Sequence, residues 1–259
     1  MIDLSVALPY TDQVVVSLTI LFIAGLIQGI FGMGFAMIAT PMLGLFLDYR
    51  VAVILAAVPL WFIATRYILQ RRHYVWESQV TRSLLPGIMI GSLAGVVLYG
   101  LLPVGANYAL LGMLLLVSAF VPLALRHLRW IGRDTSIRGS KPLGFLAGVT
   151  ESLMNVGAPF ILLFSGISNL KRRQQMLALN LCFAVGKSIQ IVLITLFIPV
   201  SVSWVHVGLA VISSTIGFQF GDRFGGQWSE VQFRRGLFIF LLIMAVAMGL
   251  RALTVATQP

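Results

Sequence analysis

The sequence is poor in charged residues, in histidine and above all in cysteine. Charged residues occupy 10% of its 259 positions, whereas a soluble domain carries about 25%. Because so few polar side chains could not cover a globule in water, a soluble enzyme, a nucleic-acid-binding domain and a disordered chain are all excluded. The single cysteine, Cys182, excludes an internal disulfide and a multi-cysteine metal site. The three histidines are scattered, so we predict no metal, no cofactor and no catalytic residues.

Apolar residues, in contrast, are abundant. They make up 59% of the sequence, and the mean hydropathy is +0.97. A helix crosses the hydrocarbon core in about 20 residues, and six apolar runs have this length: 51–69, 83–101, 106–125, 174–198, 204–220 and 234–255. The N-terminus shows neither a basic region nor a cleavage site, so no signal peptide is expected. The sequence therefore predicts an all-α polytopic membrane protein.

Two further apolar runs do not fit one crossing each. Run 14–48 is too long for one span, and run 142–169 is too short for two. Each contains a glycine-rich break, at 29–34 and at 155–159. Since interrupted backbone is tolerated at membrane depth where it lines a cavity, we predict two re-entrant hairpins, each made of two half-helices that enter and leave on the same face.

The basic residues support this count of spans. With two hairpins, fourteen of the sixteen Lys and Arg residues outside the spans fall on one side, and only Arg50 and Arg251 fall on the other. Such a bias marks the cytoplasmic side. Both termini are therefore predicted to be periplasmic.

The two halves of the chain resemble each other. A shift of 123 residues aligns Gly25 with Gly148 and Gly34 with Gly157, and each half contains a hairpin followed by three spans. Because three is an odd number of crossings, the second half must start on the opposite face. Inverted repeats of this kind are typical of secondary transporters, which bind substrate near the midplane. The predicted division is a first transmembrane repeat at 1–125, a cytoplasmic linker at 126–141 and a second transmembrane repeat at 142–259.

Three ionisable residues lie within predicted membrane segments, where such groups are costly and usually functional. Lys187 is predicted to bind an anionic substrate, with a structural ion pair to Glu151 as the alternative. Glu151 aligns with Gln28 across the repeat and is a candidate proton-coupling residue. The alternatives are that it only orients Lys187, or that it faces a wet vestibule. Arg66 either attracts substrate or anchors its span at the interface.

The hairpin breaks are also candidate anion sites, because the N-terminus of a helix presents free N–H groups and a positive dipole end. Asn155 is predicted to be the N-cap of the returning half-helix, with Pro159 in its first turn. Asn180 and Gln190 recur near the Lys187 face of their helix; they either donate to anion oxygens or form interhelical hydrogen bonds. The predicted substrate-binding residues are Lys187, Asn155, Gly157, Gly34, Gln28, Asn180, Gln190 and Arg66.

The glycine-rich segments carry a family resemblance. Gly25-Leu-Ile-Gln-Gly29-Ile-Phe-Gly32-Met-Gly34 resembles the first signature of the TauE/SafE family of sulfite and sulfonate exporters, and 148–159 resembles the second copy. Gly91-Ser-Leu-Ala-Gly95 also fits the family and is predicted to let helices pack closely. Phe35-Ala36 and Ala158-Pro159 stand where the family often has a run of glycines. The resemblance implies a bacterial inner-membrane carrier for small sulfur oxyanions or organosulfonates.

Together these observations predict a secondary transporter that exports sulfite or a short organosulfonate such as sulfoacetate by alternating access, with or without proton coupling at Glu151. The alternative is an uptake carrier for another organic anion, an aromatic sulfonate or a carboxylate. A membrane-embedded enzyme and a scaffold are disfavoured. The predicted partners are the small anion and membrane lipid, with homodimer formation left open and no nucleic acid.

Overall fold

The fold is helical throughout the part of the chain that the structure describes. The computed structural model describes residues 10–77, 79–128, 140–168, 170–198, 200, 202–224 and 229–256. These residues form eleven helices and no strand: α1 (Tyr10–Phe31), α2 (Phe35–Phe46), α3 (Tyr49–Gln70), α4 (Arg72–Glu77), α5 (Gln79–Leu101), α6 (Val104–Leu128), α7 (Ser140–Met154), α8 (Ala158–Ile167), α9 (Arg172–Phe197), α10 (Trp204–Phe224) and α11 (Glu230–Ala256). The six predicted spans are confirmed as α3, α5, α6, α9, α10 and α11. The protein is an all-α, multi-pass membrane protein.

The first hairpin differs from its prediction in one respect. Helix α1 has 22 residues and is apolar enough to cross a membrane, which gives seven candidate spans in the described chain. The first arm of this hairpin is therefore longer than predicted, because α1 starts at Tyr10 and runs unbroken to Phe31. Helices α7 and α8 have only 15 and 10 residues, which agrees with two half-helices in the second hairpin.

Both hairpins break with a residue in the left-handed conformation. Gly32, directly after α1, has φ 75°, and Asn155, directly after α7, has φ 63°. Glycine and asparagine are the residues that tolerate this conformation at a helix C-terminus. Asn155 therefore ends α7, and its prediction as an N-cap is wrong: Gly157 is the N-cap of α8, with Pro159 in the first turn as predicted. Gly34 is the N-cap of α2.

The described helices form two compact units, each drawn from both halves of the sequence. Unit 1 lies within Met1–Leu60, Pro103–Leu116 and Pro199–Pro259, and unit 2 lies within Trp61–Leu102 and Val117–Ile198. Two of the four unit boundaries fall inside helices, one in α3 and one in α6, and the other two lie between helices. The repeat boundaries along the chain stay a prediction, and most of the predicted linker, residues 129–139, lies outside the described residues.

In unit 1, α1 packs closely against α10 through glycines on both helices. A Cβ atom on Gly25 would collide with the carbonyl of Ser214, and one on Gly217 would collide with the carbonyl of Phe22. Small residues let helix backbones approach each other in a membrane, where dispersion contacts replace the hydrophobic effect between helices. This contact fixes the first hairpin against the second half of the sequence.

A cavity of about 300 Å³ lies at one end of unit 1. Tyr10 and Gln13 line it from the start of α1, and Phe46 and Leu47 line it from the end of α2. The chain therefore enters and leaves the first hairpin at the same end of the unit. His206, from the start of α10, also lines the cavity and lies 2.6 Å from the hydroxyl of Ser17.

In unit 2, α5 packs against α7 in the same manner. A Cβ atom on Gly91 would collide with the carbonyl of Phe145, and one on Gly95 would collide with that of Val149. On the opposite helix, a Cβ atom on Gly148 of α7 would collide with the carbonyl of Ile88 of α5. The predicted close packing at the Gly91–Gly95 pair is confirmed.

Helix α11 presents an apolar stripe on the surface of the protein. Exposed aliphatic side chains recur along it at helical spacing: Ile239, Ile243, Val246, Leu250 and Leu253. A continuous exposed apolar face on a long apolar helix is the surface that lipid tails cover. The stripe thus gives α11 a lipid-facing side, and its other side packs into unit 1.

Candidate functional site

The most polar part of the interior of unit 2 lies at the break between α7 and α8. Lys187 of α9 and Glu151 of α7 are both completely buried there, with Nζ 2.8 Å from Oε1. The predicted alternative, an ion pair between these residues, is therefore confirmed. A direct contact between Lys187 and a substrate stays a prediction.

Oxygen atoms surround the Lys187 ammonium. Nζ donates to the backbone carbonyl of Glu151 at 2.8 Å, to Oδ1 of Asn155 at 2.5 Å and to Oε1 of Gln190 at 2.9 Å. An ammonium has three N–H donors, so Lys187 shares them among these acceptors and a fourth oxygen, Oε1 of Glu151, at 2.8 Å.

The carboxylate of Glu151 also holds the start of α8. Its Oε2 accepts a hydrogen bond of 2.7 Å from the N–H of Gly157. This places a negative charge at a helix N-terminus, where the helix dipole stabilises it. The space for this contact depends on glycine. A Cβ atom on Gly157 would lie 2.8 Å from Cβ of Glu151, and one on Gly186 would lie 3.0 Å from Cγ of Glu151.

Two amide side chains complete the cluster. Gln190 donates through Nε2 to the carbonyl of Ser152 at 2.8 Å and to Oδ1 of Asn155 at 3.0 Å. The alternative prediction for Gln190, interhelical hydrogen bonding, is confirmed. Asn180 instead donates to the carbonyl of Met176, 2.8 Å away and one turn earlier on α9. It is buried, but it takes no part in the hydrogen bonds around Lys187.

The first hairpin has an uncharged counterpart of this arrangement inside unit 1. Gln28 is buried, and its Oε1 accepts a hydrogen bond of 3.2 Å from the N–H of Phe35 at the start of α2. Its Nε2 donates to the carbonyl of Gly32, also at 3.2 Å. Gln28 thus connects the two sides of the break that Gly34 caps. Contact of Gln28 and Gly34 with substrate stays a prediction.

The remaining predicted residue, Arg66, is exposed on α3. It takes no part in the hydrogen bonds or the ion pair of the Lys187 cluster. Neither of its predicted roles, substrate attraction or anchoring, is tested by this position.

Two relevant residues were missed by the sequence analysis. Gly186 leaves space for the side chain of Glu151 beside α9. The feature of the sequence that could have revealed this role is the position of Gly186 directly before Lys187. Arg251 was counted among residues outside the spans, yet it lies inside α11. An arginine near the end of an apolar run is normally an interfacial anchor, so its sequence position alone does not reveal a different role.

Comparison with known families confirms the resemblance seen in the glycine-rich segments. The family described as sulfite exporter TauE/SafE matches residues 17–248, a range that includes both hairpins and the Lys187 cluster. Comparisons with curated proteins and with solved structures give no significant match. The match covers most of the chain and agrees with its multi-pass helical fold. The chain belongs to the TauE/SafE family of sulfite exporters, which are membrane transporters.

Proposed function

We propose that this protein exports a small sulfur-containing anion, either sulfite or a short organosulfonate such as sulfoacetate, across the bacterial cytoplasmic membrane. Membership of a sulfite exporter family supplies the class of substrate. The observation that carries the proposal is the buried Lys187–Glu151 pair at the break between two short helices. A charged group at the centre of a membrane helix costs about 2.5–3.5 kcal/mol on insertion scales, and the residues that persist there are usually functional.

The geometry around Lys187 suggests how an anion binds. Every N–H of the ammonium already has an acceptor, so an anion reaches Lys187 only when it replaces one of the surrounding oxygens. The carboxylate of Glu151 is the partner that an anion most resembles in charge and in shape. When this carboxylate leaves, the N–H of Gly157 is released as well, and the N-terminus of α8 then adds to the stabilisation of the anion.

This exchange couples the anion to a proton. A proton on Glu151 removes the negative charge that neutralises Lys187, and so it raises the affinity of Lys187 for an external anion. By thermodynamic reciprocity, a bound anion favours the protonation of Glu151 to the same extent. Anion and proton therefore bind together, and Glu151 serves as the proton-coupling residue. Asn155 and Gln190 keep the ammonium in place during the exchange.

The transport cycle is alternating access between two repeats of inverted topology, 1–125 and 142–259, joined by a cytoplasmic linker at 126–141. In such carriers one part of the protein rocks against another around a fixed site. The strong bias of basic residues supports an orientation with both termini in the periplasm.

Flux measurements in proteoliposomes test the proposal. We expect wild-type protein to move sulfite or sulfoacetate and to respond to an imposed pH gradient. The Glu151→Gln/Lys187→Met double variant removes both charges together, so it leaves no unpaired buried charge, and we expect it to fold and to lose flux. Lys171→Met is the matched control, because Lys171 is exposed at the start of the same helix.

Each part of the proposal has its own contrary result. Wild-type flux that includes no sulfur anion refutes the substrate class. Flux that persists with unchanged KM in the folded double variant refutes the role of Lys187. Flux of Glu151→Gln that keeps its full response to the pH gradient refutes the role of Glu151 in coupling.

A further inference from the structure

Unit 1 contains a second cation within an apolar helix, and its surroundings differ from those of Lys187. Arg251 lies in α11, five residues before the end of the helix at Ala256. Its side chain is only partly exposed, and its Nε atom is buried without a hydrogen-bond partner. No ion pair links Arg251 to a carboxylate among the residues that the structure describes. Arg251 is thus a cation without the neutralising acid that Lys187 has.

A tyrosine pair holds the guanidinium of Arg251. It lies close enough to Tyr108 to act electrostatically on its hydroxyl, whose proton is donated to the carbonyl of Gly44 at 3.1 Å. Tyr108 is buried, and its ring packs edge-on against that of Tyr49 at 4.9 Å between centroids. Because the hydroxyl of Tyr108 donates its proton to the carbonyl of Gly44, its oxygen can act toward Arg251 only as an acceptor. This arrangement turns the guanidinium toward the interior of unit 1 rather than toward lipid.

One acid lies in the same region, and one of its oxygens caps a helix. Asp48 is close enough to Tyr108 to act on it electrostatically, but its Oδ1 accepts the N–H of Arg50 at 2.8 Å and so caps the start of α3. A buried donor without a partner costs about 1–3 kcal/mol, and more when the donor is charged. Such groups in a native structure call for an explanation. An oxyanion bound at Nε would provide the acceptor that this donor lacks.

We infer that Arg251, oriented by Tyr108, is an oxyanion-binding site in unit 1 that is separate from the Lys187 cluster. Two adjacent N–H groups of a guanidinium match two oxygens of a sulfonate, sulfite or carboxylate in a bidentate contact. Since Nε is buried and unpartnered, the edge that carries Nε is the one that binds. The inference rests on the proposed function only for the choice of anion, and the bound anion is the transported substrate rather than a lipid phosphate.

Anion-dependent thermal stability of the purified protein tests the site, because a ligand that binds only the folded state raises apparent stability. The probes are sulfite, methanesulfonate and acetate in detergent without phospholipid. We expect a concentration-dependent rise in Tm for the Glu151→Gln/Lys187→Met variant, in which the other site is removed. The dissociation constant should increase at least tenfold in Arg251→Gln added to that background. Tyr108→Phe keeps the ring and should give a smaller increase.

Matched variants and a lipid arm make the outcome decisive. Arg235→Gln is the control, because Arg235 is exposed on the same helix, and its affinity should equal that of the background. The inference is overturned if no probe stabilises the background protein, or if Arg251→Gln binds as tightly as Arg235→Gln. It is also overturned if short-chain phosphatidylglycerol stabilises the protein through Arg251 while none of the three probes does. In each of these cases wild-type sulfite flux can persist, so failure of the inference is distinguishable from failure of the proposed function.

Discussion

A double-mutant cycle on Lys187 and Glu151 gives the sharpest test of how the buried cluster is held. Both side chains are fully buried, and the charged atoms are 2.8 Å apart. Lys187→Met leaves the carboxylate of Glu151 in the interior without its counter-charge. Glu151→Gln leaves the ammonium with neutral acceptors only. Removing one partner of a buried ion pair costs about 3–5 kcal/mol.

The double variant should behave differently from the sum of the two single variants. It contains no buried charge, and methionine and glutamine fill nearly the volume of the original side chains. Replacing a buried pair by well-packed hydrophobic residues of similar volume is often close to neutral in stability, and the Met–Gln pair likewise carries no charge. We therefore expect the double variant to lose much less than the two single losses combined, with a coupling energy of at least about 3 kcal/mol, the upper end of the usual range for residues in contact.

The measurement is the free energy of unfolding in mixed detergent micelles, followed by tryptophan fluorescence. Lys171→Met should change it by less than about 0.5 kcal/mol, as exposed substitutions generally do. A coupling energy below about 0.5 kcal/mol would mean that the two charges do not depend on each other in the folded protein. The competition between anion and carboxylate that underlies the proposed transport cycle would then have no basis.

Two further predictions concern the helix breaks. Gly157→Ala should lower the free energy of unfolding by about 1–3 kcal/mol, as overpacking does, because the new Cβ would lie 2.8 Å from Cβ of Glu151. Unfolding in mixed micelles measures this loss. Gly208→Ala is the control and should not be destabilised, because a Cβ atom at Gly208 has no neighbour within 4 Å. Gln28→Leu removes the acceptor of the Phe35 N–H and should cost about 1–3 kcal/mol, the penalty for a buried unsatisfied donor. Hydrogen exchange at Phe35 should rise in the Gln28 variant, and unchanged exchange would contradict the assigned cap.

Much of the fold could be predicted because membrane spans leave a strong signal. An apolar run of about 20 residues has few other interpretations, and all six predicted spans formed helices. The start of α1 could not be found in this way, since residues 10–13 are Tyr-Thr-Asp-Gln and carry no apolar signal. The sequence also does not show which helices pack against each other. Gly25 marks a close contact in the sequence, but only the structure shows that Ser214 lies opposite.

The candidate site could be predicted in its charged residues but not in its connections. Lys187 and Glu151 stood out because ionisable residues are rare in apolar runs. The hydrogen bonds of Lys187 to Asn155 and Gln190 depend on the left-handed turn at Asn155, which sequence analysis misread as a cap. Local preference fits both uses, because asparagine is favoured at helix N-caps and also tolerated in left-handed turns.

The two helix breaks share one backbone plan and differ in the charge of the capping side chain. At the same offset of 123 residues, Gly32 and Asn155 both adopt positive φ, and the long side chains of Gln28 and Glu151 both hold the first N–H groups of the returning helix. Such agreement in backbone and in capping supports the proposed duplication more strongly than the few identical residues do. The capping task needs only an acceptor oxygen, which glutamine supplies without the cost of a buried charge. A buried glutamate at the second break, with a lysine to neutralise it, is more than the capping task requires. The proposed exchange of this charge pair with an anion and a proton would need that glutamate, because the glutamine at the first break carries no charge.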